Sequence, residues 1–106
     1  MRMQNFVSLA FLLVLILLFI GGCGSVSIKE IKENPEKYLG EEVVITGVVE
    51  NSVKIGTLSG FSLKEGNYSI VVQSKELPAE GKKVTVQGTV MKEVFLGYYI
   101  YAKKIY

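Results

Sequence analysis

The chain contains no histidine, no aspartate and no tryptophan, and its single cysteine is Cys23. Its only arginine is Arg2. Each absence removes a class of chemistry. Without histidine, no imidazole base can activate a serine or threonine, and the commonest nitrogen ligand for zinc is missing. One cysteine cannot close an intramolecular disulfide, so the folded part must hold together by packing. Beyond residue 2 the chain also lacks the planar arginine fork that grips phosphate at two points. Glutamates are the only carboxylate side chains, and the pairs Glu41/Glu42, Glu76/Glu80 and Glu30/Glu33 stand among lysines on turn or helix patterns. That setting reads as solvated surface. The expectation is no enzyme, no catalytic residue, no metal and no cofactor.

What is present is unevenly spread. The 106 residues are 49% hydrophobic with a mean hydropathy of +0.35, enough for one domain at most. Residues 6–20 (FVSLAFLLVLILLFI) carry no charge, whereas all 10 acidic residues lie beyond residue 22. Residues 1–22 read as an export signal: Arg2 supplies the positive start, Phe6–Ile20 the apolar stretch, and Gly21-Gly22 the small residues before a cut. The run Ile20-Gly21-Gly22-Cys23-Gly24-Ser25 resembles the lipobox of prokaryotic lipoproteins. That resemblance implies acylation of the Cys23 thiol and cleavage just before it. Two other readings stand beside it. Residues 5–22 approach the ~20 apolar residues that span a bilayer, so they could remain as an anchor helix. They could equally be an ordinary signal with an incidental cysteine. All three place the rest of the chain outside the cytoplasm, at the cell membrane for the first two. Residues 23–26 would then be a short tether, and residues 27–106 the folded domain.

That domain begins with a short helix. Ser27-Ile28-Lys29-Glu30 has the form of a capping box, with Ile28 and Ile31 on one face. Asn34-Pro35 starts a second turn, closed by Tyr38-Leu39-Gly40. From Glu41 onward the pattern has period two and is rich in β-branched residues. Five strands are expected: 42–51, a broken second strand over 53–58 and 61–65, then 68–74, 82–92 and 98–104. Ser59-Gly60 is read as the bend in the second strand, and Gly66-Asn67 as a hairpin turn. The segments Val43–Val49 and Val84–Val90 share the form V-x-[IV]-x-G-x-V. A glycine inside such a strand marks a sharp bend or a close backbone approach, which suits a small coiled barrel; the blander possibility is that each glycine ends a short strand.

Together these motifs resemble small OB-fold domains of the anticodon-binding and single-strand-binding type: N-P-E-x-Y-x-G at Asn34–Gly40, the two V-x-[IV]-x-G-x-V strands, Leu77-Pro78, and Y-x-I-x-A at Tyr98–Ala102. The resemblance implies a mainly β, five-stranded OB-like barrel with a short N-terminal helix. It also implies nucleic-acid binding, against which the residues argue. With Phe61, Leu63, Ile70 and Val72 inward, the outer face of strands two and three shows Ser62, Lys64, Ser69, Val71 and Gln73. That is one cation and no ring for a base to stack on. Nucleic acid is therefore not the expected partner. The haem chaperone of cytochrome c maturation is a similar tethered barrel, but its haem-binding histidine has no counterpart here.

The aromatic concentration near the C-terminus is the leading candidate for ligand binding. Tyr99, Tyr101 and Lys103 share one strand face, and Phe95 stands in the preceding loop. Rings with a polar tip suit an envelope protein or a glycan. The competing expectation is that they cover the barrel's end or pack on the helix. Asn67-Tyr68-Ser69 fits a glycosylation sequon at an exposed turn. The sequence therefore points to a non-catalytic binding or assembly module at the cell envelope, with a purely structural envelope component as the competitor.

Overall fold

The computed structural model describes residues 24–55 and 58–106. The expected signal and Cys23, the expected lipid site, lie outside the described residues. Two short helices, α1 (Ile28–Glu33) and α2 (Pro35–Tyr38), precede five strands: β1 (Glu42–Ile55), β2 (Leu58–Glu65), β3 (Tyr68–Gln73), β4 (Lys83–Glu93) and β5 (Gly97–Ile105). Among the described residues, no helix is long and apolar enough to cross a membrane.

Ser27 caps α1 through its hydroxyl, which accepts from the Glu30 amide at 3.1 Å. The reciprocal half of the expected capping box is not made. Glu30 turns its carboxylate to the Tyr38 hydroxyl at 3.1 Å instead, tying α1 to α2. The first amide of α1, at Ile28, donates to Glu65 at the end of β2 (3.0 Å). Ile28 and Ile31 are fully buried on one face, as their spacing predicts.

The strands close into a barrel in the order β1-β2-β3-β5-β4. This is the OB-like architecture: β1 is long enough to serve two neighbours, and its first half pairs with β4 while its second half pairs with β2. Closure comes from a parallel junction of three residue pairs, Val71–Tyr99, Val72–Ile100 and Gln73–Tyr101. The inward positions read from period two are the core: Val43, Ile45, Val49, Phe61, Leu63, Ile70, Val72, Val84, Val86, Val90 and Ile100 are all buried.

Both motif glycines lie in mid-strand, so the strand-end alternative fails. A Cβ on Gly47 would stand 2.5 Å from the Lys64 carbonyl oxygen, and one on Gly88 would stand 2.5 Å from that of Tyr101. Gly47 sits where β1 passes from β4 to β2, and Gly88 sits at the bulge where β4 meets β5. Neighbouring backbones cross there at a spacing that no side chain permits.

One boundary differs from expectation. Val53–Ile55 belong to β1, not to the second strand, and the irregularity falls at Asn51-Ser52 rather than at Ser59-Gly60. Asn51 adopts a positive φ of 51°, which asparagine tolerates better than most residues, so the strand bulges there and continues. Ser59 and Gly60 lie inside an unbroken β2, where Gly60 lies opposite both Val53 and Gln73.

Candidate ligand-binding face

The alternation of β2 and β3 leaves Ser62, Lys64, Ser69, Val71 and Gln73 outward, as expected. The parallel β3–β5 junction then sets Tyr99 beside Val71 and Tyr101 beside Gln73. The outer face of β2 and β3 therefore continues onto two tyrosines. Sequence reasoning missed this extension: two rings adjoin a face expected to have none, because β3 and β5 pair in parallel.

Two clefts open along this face. The first, of about 500 Å³, lies between the β1–β2 and β4–β5 hairpins. Its walls are Val53 and Leu58 on one side, Leu96 and Tyr99 on the other, with Val71 and Ser62 on the floor. Glu93 is the one charged residue among its described lining residues. Val53 and Leu58 remain 52% and 62% exposed, so the walls are unsatisfied apolar surface rather than core. The local signal for them was an apolar residue beside a turn on each hairpin, a pattern that does not show what it will face.

The second cleft, of about 670 Å³, lies where β3 has ended and β5 runs on. Lys75, Lys103 and Lys104 line it with Tyr101, against one glutamate, Glu76, among the described lining residues. Lys103 also pairs with Glu42 at 3.7 Å across the barrel surface. Ser59 and Gln73 line both clefts and form the boundary between them. Ser59 is held there because its hydroxyl donates to the Ser74 carbonyl while its own carbonyl accepts from the Ser74 amide (3.1 Å).

The four residues singled out from sequence are thus distributed rather than clustered. Tyr99 lines the apolar cleft, and Tyr101 and Lys103 line the lysine-rich one. Phe95 lines neither and stands free at the tip of the β4–β5 hairpin. The rings that do pack on the helical end are others. Tyr98 hydrogen-bonds Glu36, and Tyr68 reaches Glu33 at 3.4 Å. Asn67 lies exposed in the β2–β3 turn.

Two tyrosines have their hydroxyl protons held more tightly than usual. Half-burial raises the Tyr38 pKa above 10.0, helped by its hydrogen bond to Glu30 and by that carboxylate's charge. The hydrogen bond to Glu36 raises that of Tyr98, with desolvation and the same carboxylate's charge adding to it and Lys92 opposing. The Tyr38 bond joins α2 to α1, and the Tyr98 bond joins α2 to β5 of the barrel. Among the described residues no group of three carboxylates or thiols stands close enough to hold a metal ion.

Comparison with solved structures places the fold. The chain is similar to part of a putative aspartyl-tRNA synthetase from Leishmania major Friedlin, with a TM-score of 0.66, 20% identity, and 77% of this chain matched to 20% of that one. It is also similar to asparaginyl-tRNA synthetase from Pyrococcus horikoshii, with a TM-score of 0.65, 15% identity, and 79% of this chain matched to 23% of the other. A third match is OBody AM1L10, solved bound to hen egg-white lysozyme, with a TM-score of 0.56, 20% identity, and coverage of 66% and 80%. The chain therefore spans about a fifth of the synthetases, and the likeness is one of fold. No protein-family profile matches it, and neither does any curated protein sequence.

Proposed function

We propose that the chain is a membrane-anchored lipoprotein, held through a lipid on Cys23, whose barrel is a non-catalytic binding module facing away from the cytoplasm. Its ligand on this reading is a protein segment that places apolar side chains next to an acidic group. One observation carries the proposal: an apolar cleft and a lysine-rich cleft meet end to end at Ser59 and Gln73. A segment lying along the face would bury apolar groups against Val53, Leu58, Leu96 and Tyr99, then meet Lys75, Lys103 and Lys104. The apolar part supplies affinity, and the charges fix direction along the face. That one barrel of this fold is bound to a protein, lysozyme, supports the class of partner.

A nucleic-acid strand is the second reading, carried by Tyr101 standing among three lysines. Against it, the adjoining cleft is apolar, and Glu93 is the one charged residue among its described lining residues. On this reading the barrel is non-catalytic. The glutamates found in ion pairs, Glu30, Glu33, Glu36 and Glu42, face lysines at the surface.

The test is mild crosslinking of the full chain in its own cells, followed by purification and comparison with Leu58→Asp and Lys104→Glu. A stoichiometric protein partner lost in both variants is the expected result. A ladder of self-crosslinks supports a structural envelope role instead, and a salt-dependent DNA shift lost only in Lys104→Glu supports the strand. Mass spectrometry of the mature N-terminus reads lipid on Cys23, and intact mass reads glycan at Asn67.

A further inference from the structure

The β4–β5 hairpin ends in three consecutive apolar residues. Val94 is 92% exposed, Phe95 93% and Leu96 56%. Such a run at a turn leaves a large apolar area in water, and soluble domains seldom keep one without use. The tip is also built to hold its shape. One oxygen of the Glu93 carboxylate accepts from the Phe95 amide and the Leu96 amide, each at 2.9 Å. Those two amides are satisfied within the turn. They could leave water without losing their hydrogen bonds, which is what otherwise makes bare backbone unfavourable in an apolar medium. Directly behind the tip stand Tyr98 and Lys92, with the Lys92 ammonium 5.2 Å from the centre of the Tyr98 ring. Apolar residues in front and tyrosine with lysine behind is the order found across a membrane interface.

The direction of the chain supplies an independent argument. Ser25 bridges to Val44 in the parallel sense, and the Val26 amide donates to the Val44 carbonyl at 3.0 Å. Gly24 therefore enters from the end of the barrel where β1 begins. Strand β4 runs antiparallel to β1, with Thr89 opposite Glu42, and its hairpin projects past that same end. The half-exposed Leu39, just before β1, lies there too. The tether and the apolar tip leave the barrel in one direction.

We propose that Val94 and Phe95, the two residues of the tip that line neither cleft, insert into the lipid surface of the membrane that holds the N-terminal anchor. This rests on the anchored reading of residues 1–23. A second apolar contact adds to the hold of the anchor and stops the barrel from swinging on a tether of a few residues. The orientation it imposes turns the β1–β4 end to the bilayer and the far end of β5 away from it.

The absence of tryptophan makes a direct test available. Full chains carrying Phe95→Trp or Tyr106→Trp, each a sole tryptophan, are reconstituted into phosphatidylcholine–phosphatidylglycerol vesicles with brominated acyl chains. Tyr106 is 61% exposed at the end of the chain that lies beside Thr85, remote from the tip. The expected result is blue-shifted emission at position 95, quenched several-fold more strongly by bromolipid than at position 106, with iodide showing the reverse order. If the chain floats with the vesicles while position 95 is as open to iodide as position 106, the insertion is overturned and the anchor stands. A chain that does not float overturns both. Because Phe95 is almost wholly exposed, its replacement leaves the barrel intact, and the vesicle-free emission of both variants checks this.

Discussion

Gly88 and Tyr101 meet backbone to backbone, so close that a single methyl group on Gly88 would lie 2.5 Å from the Tyr101 carbonyl oxygen. The contact joins β4 to β5 at a bulge, and Gly47 makes the equivalent contact with Lys64 on the other side of the barrel. Because the obstructing atoms are backbone, neither can swing aside.

Gly88→Ala and Gly47→Ala should therefore each destabilise the barrel by about 1–3 kcal/mol or more, as overpacking does. The double variant should lose close to the sum, since the two sites lie on different strand crossings. Urea unfolding followed by circular dichroism measures both. A neutral Gly88→Ala would show that β4 and β5 can separate without loss.

Two phenylalanines give opposite expectations. Phe61 is 2% exposed and the largest side chain of the core, so Phe61→Ala should cost about 3–5 kcal/mol. Phe95→Ala should stay within about 0.5 kcal/mol of the parent, because nothing in the barrel packs on it. Thermal unfolding of the two variants side by side decides the point.

Alkaline pH should loosen the helical end. Tyr38 and Tyr98 both have pKa values raised above the ordinary 10.0 in the folded state. The unfolded chain then loses these protons first, so above about pH 10 it binds fewer protons than the native state and stability falls as pH rises. The contribution is complete below pH 10 and lost as pH climbs through the folded values. Tyr38→Phe and Tyr98→Phe should each flatten the fall, measured by urea unfolding at steps between pH 9 and 11.5 (roughly a unit and a half above the ordinary tyrosine value).

The start of α1 offers a local test. Ser27→Ala removes the acceptor for the Glu30 amide and should cost about 1 kcal/mol. Amide exchange at Glu30 should accelerate, while Ile28 should stay protected by its bond to Glu65. Equal acceleration at both positions would mean that α1 opens as a unit.

Much of the fold follows from patterns that span only a few residues. Period-two alternation over Val43–Val49 and Val84–Val90 sets which side chains face inward, because successive Cβ atoms point to opposite faces. The same logic fails at Asn51-Ser52. Those residues carry turn chemistry, yet in the barrel they form a bulge and β1 continues to Ile55. Ladder pairing with β2 on either side outweighs the local preference. The capping box is half right for a similar reason. Glu30 has Tyr38 within reach, and the bond that joins two helices replaces the one that would close a single helix on itself.

The candidate face shows the same division. That Tyr99, Tyr101 and Lys103 share one strand face follows from their spacing. That Tyr99 belongs to an apolar cleft, Tyr101 and Lys103 to a lysine-rich one, and Phe95 to neither depends on β5 lying parallel to β3. The sequence by itself determined the inward residues and the two glycines at which strands cross, since each is a property of local period. Only the tertiary structure decided which residues become neighbours across β3 and β5 and which end of the barrel Gly24 and the apolar hairpin share. Those are pairings between segments about twenty to fifty residues apart, and no short-range preference of the chain encodes them.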